Sequence, residues 1–322
     1  MVTGGAGFIG YHLSKHLAND GDEVTIIDNL FRGKMDDEFK ELIGLENVKY
    51  IEADLTKFDS FVKLDDDYDY VYHCAAINGT KYFYEIPEVI LRTNILSAIN
   101  ILDWFVESDS KKIVFPSSSE AYAGTMRQFG VPIPTPEDIP LCIEDTNNPR
   151  WSYAGSKIAG ELLFLNYAKK YQRDMTIVRY HNIYGPRMGY EHVIPEFLNR
   201  IYTKTDPFFV YGNTTRSFCY IDDAVRATEL VMVNTNCNGE IINVGNDMEE
   251  ISIADLAKTI FEVLSYNANI EIKSMPEGSV DRRCPNIDKL KKLTGYNPKI
   301  SLKEGVKLTH NYYYKYFVER GG

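Results

Sequence analysis

One feature constrains the fold of this chain more than any other. Through its first 180 residues, short and nearly continuous apolar runs alternate with segments of helical spacing. Met1–Thr3, Glu23–Asp28 (EVTIID), Val48–Glu52, Asp69–Cys74 (DYVYHC), Lys112–Pro116 (KIVFP) and Met175–Tyr180 (MTIVRY) read as strands. Phe8–Asn19 carries Ile9, Leu13 and Leu17 at helical spacing, and Pro87–Glu107 and Ser152–Tyr171 are longer helical patterns. Strands without polar alternation have no wet face, so they belong to a parallel sheet covered on both sides by helices. The fold class expected is α/β, a doubly wound parallel sheet.

After residue 182 the rhythm changes. Short strands are expected at Phe208–Tyr211, Phe218–Ile221 and Ile241–Val244, with helices near 222–235 and 252–265 and a loop-rich stretch over 276–298. No linker rich in Gly, Ser or Pro separates the two parts. At about 150 residues per domain, the 322 residues allow roughly two. The expected division is residues 1–182, with a returning segment at about 213–248, for the first domain. Residues 183–212 and 249–322 would form a smaller C-terminal substrate-binding domain. Only three residues precede the first glycine, whereas a strand of this kind usually has about 4 to 8. Either the first strand is short or the chain lacks a few natural N-terminal residues, and the second reading is preferred.

The glycines at 4, 7 and 10 stand between a strand and a helix (TGGAGFIG, 3–10). The first allows a tight turn, the second lets a pyrophosphate approach the backbone, and the third lets helix and strand pack closely. Phe8 and Ile9 open a helix whose free N–H groups would face the phosphates. Asp28 closes the second strand eighteen residues after Gly10. A carboxylate there accepts from ribose hydroxyls and repels a 2′-phosphate, which favours NAD over NADP. Arg32 is the counter-argument, because an arginine can take that phosphate. Asp54-Leu55 would lie at the adenine edge, and Asp54 also reads as the N-cap of a helix at 56–64. The expected architecture is thus Rossmann-type, with NAD as cofactor.

Charge narrows the partners. Lys and Arg number 35 against 46 Asp and Glu, a net −11, which argues against coating nucleic acid. Anionic substrates remain admissible, because a few arginines make a local positive pocket. No run approaches the roughly 18–25 apolar residues of a membrane span, and no basic segment precedes an apolar core at the N-terminus. Five cysteines without C-x-x-C spacing read as cytoplasmic thiols, with neither a disulfide frame nor a metal site.

Tyr153 and Lys157 stand four apart and share one helical face. An ammonium beside a phenol lowers the phenol pKa, so tyrosinate can act as a base on an alcohol. The strand ending in Ser117-Ser118-Ser119 supplies hydroxyls nearby in the expected fold.

Taken in order, these motifs resemble the extended short-chain dehydrogenase/reductases that act on nucleotide sugars. The resemblance rests on TGGAGFIG at 3–10, Asp28-Asn29, Asp54-Leu55, HCAA at 73–76, Asn94, SSSE at 117–120, YAGSK at 153–157 and RYHNIYGPR at 179–187. RSFCYIDD at 216–223 and RCPNI at 283–287 extend it over nearly the whole chain. It implies that Tyr153 takes a proton from a sugar hydroxyl, usually at C4, while hydride passes to the nicotinamide. Lys157 would hold the nicotinamide ribose and depress the Tyr153 pKa, and Ser118 would bind the same substrate oxygen. Ala75 and Ala76 would leave room for the cofactor, Asn94 would tie the central helix to the active-site strand, and Asn29, Arg32 and Tyr180 join the cofactor group. Ser119, Asn182, Val193, Arg216 and Arg283 would meet the sugar nucleotide, with Ile194 and Phe197 near its base. Arg187 is ambiguous. The family also implies a homodimer built on the helices at 87–107 and 152–171, which carry Ile95, Ile99, Leu102 and Phe105, and Ile158, Leu162 and Leu165.

The reaction after oxidation turns on residues 118–120. Family dehydratases have an acid where this chain has Ser119, and serine is a poor general acid for expelling water. Ser119-Glu120 with Arg283 resembles UDP-glucuronate decarboxylases, but the stretch from Tyr122 to Tyr153 resembles neither these nor the dehydratases, and the chain is similar to GDP-manno-heptose 4-dehydrogenases, which keep Tyr, Ser and Glu. The preferred reading is NAD-dependent oxidation of a nucleotide sugar at C4, with GDP-manno-heptose as a candidate and Glu120 as a fourth catalytic residue. Epimerisation and decarboxylation are the alternatives, and a non-catalytic NAD-binding sensor is a reading from a different class.

Overall fold

The computed structural model describes residues 1–212, 214–274 and 280–319. The first half follows the sequence rhythm: β1 (Val2–Thr3), α1 (Phe8–Asn19), β2 (Val24–Asp28), α2 (Asp37–Ile43), β3 (Val48–Glu52), β4 (Tyr70–His73), α3 (Thr80–Glu85), α4 (Pro87–Glu107) and β5 (Lys112–Ser118). After α5 (Ala123–Phe129) come α6 (Trp151–Tyr171) and β6 (Asp174–Tyr180). The second half adds β7 (Ile183–Tyr184), α7 (Val193–Tyr202), β8 (Phe208–Tyr211), β9 (Thr215–Ser217), β10 (Cys219–Tyr220), α8 (Ile221–Val233) and β11 (Ile241–Val244). It closes with β12 (Glu250–Ser252), α9 (Ile253–Leu264), β13 (Ile270–Lys273), β14 (Arg282–Arg283), α10 (Asp288–Thr294) and α11 (Leu302–Glu319).

Seven parallel strands make one sheet in the order β11-β6-β5-β4-β1-β2-β3. Strand order reverses between β1 and β4, and such a switch point opens a crevice at the carboxyl ends of the strands. β2 is buried at every position, as its unbroken apolar run requires. Small sheets β10-β7, β12-β9-β14 and β13-β8 form the remainder. One buried cluster runs from Val2 and Leu13 through Phe197 and Phe208 to Tyr313, so both halves share a core.

Three differences from the sequence reading have physical causes. The segment 56–64 is a 3₁₀ turn, Phe58–Lys63, because Asp54 is spent on an Asx turn, accepting from the Thr56 N–H and hydroxyl at 3.0 and 2.8 Å. Ile221 opens α8 instead of ending a strand. The loop-rich stretch holds β14 and α10, short elements fixed by partners far along the chain; residues 276–279 of that stretch lie outside the described residues.

α4 is also long and apolar enough to cross a membrane by length and composition, which the sequence reading did not anticipate. Here it packs beside α6, burying Ile90, Ala98, Ile101, Leu102 and Phe105. Leu91 and Leu162, on α4 and α6, stay 38% and 59% exposed.

Candidate active site

The cofactor side begins at Gly4, whose φ of +69° suits a residue without a side chain. A Cβ there would stand 2.7 Å from the Ala75 Cα, where the loops after β1 and β4 cross. Gly7 caps α1 without a side-chain hydrogen bond, so the first turn, with Phe8 and Ile9, keeps its N–H groups for an anion. Asp28 accepts from the Ala6 N–H at 3.0 Å and the Leu30 N–H at 2.7 Å, and burial pushes its pKa up. Each carboxylate oxygen keeps a lone pair for a ribose hydroxyl. Asn29 turns the chain by accepting from the Phe31 N–H, and Leu55 is buried beside Asp54. Ala75 donates its N–H to the Thr3 hydroxyl, with Ala76 next in the same loop. These residues fit a dinucleotide.

Two expected cofactor residues are engaged elsewhere. The Arg32 guanidinium donates to the Asn78 carbonyl, pairs with Glu191 at 2.8 Å and stacks over Tyr82 at 4.7 Å. Those commitments weaken the case for a 2′-phosphate partner. The Tyr180 hydroxyl is bonded to Thr228 at 2.7 Å inside the core. Asp28→Ala should therefore weaken NAD binding and raise relative acceptance of NADP. Cofactor titration by fluorescence checks this, and a parent that prefers NADP contradicts it.

The chemical side stands on β5 and α6. Gly160 lets the two approach, since a Cβ there would fall 2.3 Å from the Phe115 ring. Tyr153 is buried and stacked on Phe83 with centroids 5.3 Å apart. Asn94 locks the surroundings: its amide bonds both backbone groups of Ile77 and the Ser156 hydroxyl. It thus ties α4 to the loop after β4 and to α6, and not to β5.

Lys157 departs from expectation. Its ammonium donates to the Pro116 carbonyl at 2.7 Å and lies 5.7 Å from the Tyr153 ring centre. Burial raises the Tyr153 pKa; Ser118 opposes that rise and Glu120 adds to it. Burial also brings Lys157 down to about 8.

On the side expected to meet substrate, charged groups converge. Ser118 caps the turn Ser119–Tyr122 by accepting from the Glu120 N–H at 3.2 Å. Glu120 pairs with Arg283 at 2.5 Å and Arg150 at 3.5 Å. Burial alone would raise the Glu120 pKa, but Arg283, then Arg150 and Arg216, outweigh it and hold it down to about 2. Arg216 and Arg283 are register partners on β9 and β14. Burial, then the like charge of Arg283, pushes Arg216 down to about 9. Nε of Arg283, Nε of Arg150 and the Ser152 hydroxyl are buried and have no hydrogen-bond partner. Arg216 spends its terminal nitrogens on the carbonyls of Thr215, Val280 and Asp281; two guanidinium groups paired with one carboxylate, each with an Nε unspent, suit a further anion.

Sequence reasoning missed Arg150 and Phe83. Arg150 could have been flagged by its place three residues before Tyr153, but Phe83 carries no signal outside the fold. Of the expected base-side residues, Val193 opens α7 half-buried, while Ile194 and Phe197 belong to the core. Asn182, at φ +43°, donates to the Ser217 carbonyl at 3.0 Å. Arg187 is structural: it pairs with Asp36 at 2.5 Å and stacks on Tyr11 at 4.0 Å. All five cysteines are free thiols.

A dinucleotide crevice beside a buried Tyr–Lys pair and the half-buried Ser118 defines a dehydrogenase-type enzyme of the short-chain class. The chain belongs to the NAD dependent epimerase/dehydratase family, whose model matches residues 1–245. It is 38% identical over 320 residues to the UDP-N-acetyl-alpha-D-glucosaminuronate decarboxylase of Bacillus cytotoxicus, covering 96% of this chain and 95% of that protein. It is 32% identical over 321 residues to the UDP-glucuronate 4-epimerase of Thermodesulfobacterium geofontis, covering 97% and 95%. Among solved structures, the UDP-glucose 4-epimerase of Thermotoga maritima with UDP-glucose superposes with a TM-score of 0.85 at 30% identity, over 98% of both chains. The protein is an NAD-dependent enzyme of nucleotide-sugar chemistry.

Proposed function

We propose that the protein oxidises a UDP-hexuronate at C4 and then decarboxylates it, with a 2-acetamido sugar as the leading substrate. The observation that carries this reading is the convergence of Arg283 and Arg150 on Glu120, each with its Nε left over, which suits a substrate carboxylate. The 38% identity to a UDP-N-acetylglucosaminuronate decarboxylase supports it.

In this mechanism Tyr153 as phenolate removes the C4 hydroxyl proton while Ser118 holds that oxygen. Bound NAD, held by the α1 N-terminus, Asp28 and Lys157, supplies a positive ring and a reversible hydride acceptor. Arg283 and Arg150 hold the C6 carboxylate, which a C4 ketone makes a β-keto acid. The C5–C6 bond then breaks, carbon dioxide leaves, and the electron pair enters the C4–C5 enolate. A water between Ser119 and Glu120 would return a proton to C5, and the hydroxide it becomes leaves with carbon dioxide as bicarbonate; Glu120, kept anionic, is an acceptor here and not an acid. Tyr153 gives its proton back to the C4 oxygen as the C4–H bond re-forms. The sequence favoured net C4 oxidation of GDP-manno-heptose. C4 oxidation is retained as the first step, and the UDP-hexuronate takes the heptose's place because both relatives named above act on UDP-uronates.

The test is turnover of UDP-N-acetylglucosaminuronate and UDP-glucuronate carrying ¹³C at C6. Labelled carbon dioxide with a UDP-pentose product is expected. A carbon-complete product inverted at C4 would mean epimerisation. A stable 4-keto sugar with one NADH per turnover, or turnover of GDP-manno-heptose alone, would restore the oxidation reading.

Residues 183–212 and 249–322 are proposed as the nucleotide-sugar side of the cleft. A homodimer through α4 and α6 is also proposed, covering Leu91 and Leu162. Leu162→Glu should shift sedimentation from dimer to monomer at micromolar concentration, and a monomeric parent would refute the interface.

A further inference from the structure

The two sides of the anion pocket come from distant parts of the chain. Glu120 rides on the turn after β5, and Arg283 on β14. A buried hydrogen-bond network joins their supports. Tyr122 ends the turn two residues past Glu120; its hydroxyl donates to Asn243 Oδ1 at 2.7 Å and accepts from Arg179 at 2.8 Å. Asn243, on β11, donates its amide to the carbonyls of Thr135 and Asn286, both at 3.0 Å. Thr135 in turn accepts from the Asn286 N–H and donates its own N–H to the Cys284 carbonyl, both at 2.8 Å. Asn243 therefore grips the segment that follows Arg283. Its two carbonyl partners fix the amide, so Oδ1 is the acceptor and His181 Nε2, 3.1 Å away, carries the hydrogen. Arg179 is anchored bidentately on Glu161 at 2.8 and 2.6 Å, and Glu161 accepts from the Ser117 hydroxyl at 2.5 Å.

We propose that Tyr122 and Asn243 are positioning residues that set the gap between Glu120 and Arg283, and so govern the fate of the 4-keto sugar more than its formation. This inference rests on the decarboxylase reading. The oxidation group, Tyr153, Lys157 and Ser118, sits on β5 and α6, which among the described residues this network meets only at Ser117, Glu161 and the Ser118 cap, whereas the arginine pocket depends on the link from Tyr122 through Asn243 to residues 284–286. Such a link matters because displacements near 1 Å can cost about 10²-fold in a reacting geometry.

Tyr122→Phe tests it gently. Asn243 keeps His181, Thr135 and Asn286, and Arg179 keeps Glu161 and the Glu137 carbonyl. In single turnovers with C6-labelled UDP-hexuronate, NADH should appear within about 3-fold of the parent rate. Release of labelled carbon dioxide should fall about 10-fold or more, with a carbon-complete 4-keto sugar accumulating. Asn243→Ala should move the partition the same way, and thermal melts show which variants are folded. A folded Tyr122→Phe protein with unchanged partition, or with both steps slowed equally, overturns the inference alone. A parent that forms the 4-keto sugar without releasing carbon dioxide overturns the decarboxylase reading and this inference with it.

Discussion

Tyr153→Phe is expected to lower turnover by about 10²–10⁴-fold, the range for loss of a general base, while NAD affinity stays within a few-fold. The substitution removes one oxygen and keeps the ring, which is buried and stacked on Phe83. The dinucleotide side of the site, Gly4 to Gly10 and Asp28, is untouched. Sign matters for the pH dependence. Burial raises the Tyr153 pKa, so the phenolate fraction grows as pH rises, and kcat/KM of the parent should climb with pH. Lys157, brought down to about 8, loses its charge above that pH and adds a falling limb to any step needing the cation. In the phenylalanine variant the rising limb should vanish. Stopped-flow turnover from pH 6 to 10 (values on the order of the two groups' ordinary range) checks both limbs. Activity within a few-fold of the parent would remove Tyr153 as the base.

Arg283→Leu carries the second large effect. Truncating one partner of a fully buried charge pair typically costs about 2–5 kcal/mol, and the part-buried Arg283–Glu120 pair belongs at the lower end, about 30- to 100-fold. A loss of that size is expected in kcat/KM for the UDP-hexuronate. The variant also leaves Glu120 with Arg150 at 3.5 Å as its nearest cation, so its carboxyl should titrate higher than about 2. Oxidation of a UDP-hexose, which has no carboxylate, should suffer much less. Steady-state kinetics on both substrates reads the difference. Equal losses on both would assign Arg283 to the diphosphate or to packing, and not to the carboxylate.

Much of the fold was legible because its signals are local. The strands Val48–Glu52 and Ile241–Val244 and the helices Phe8–Asn19 and Pro87–Glu107 have the bounds that apolar spacing gives them. The glycine loop, Asp28 and the Tyr–Lys pair were readable for the same reason: each lies within one turn or one strand–helix junction. Elements stabilised by distant partners were missed. β13 exists because it pairs with β8, and β14 because it pairs with β9. Tyr180 and Phe197 look available in sequence, yet Thr228 and Phe208 claim them.

A parallel α/β fold, a dinucleotide crevice and a Tyr–Lys–Ser group could be read along the chain, since period, glycine placement and helical spacing are properties of short segments. Which charges meet depends on long-range packing. Glu120 stands 163 residues from Arg283, and their contact depends on where β14 docks. The same docking sets their energetics. Burial penalises the Glu120 charge, and the positive charges of Arg283, Arg150 and Arg216 outweigh that penalty, a balance that no one-dimensional spacing encodes.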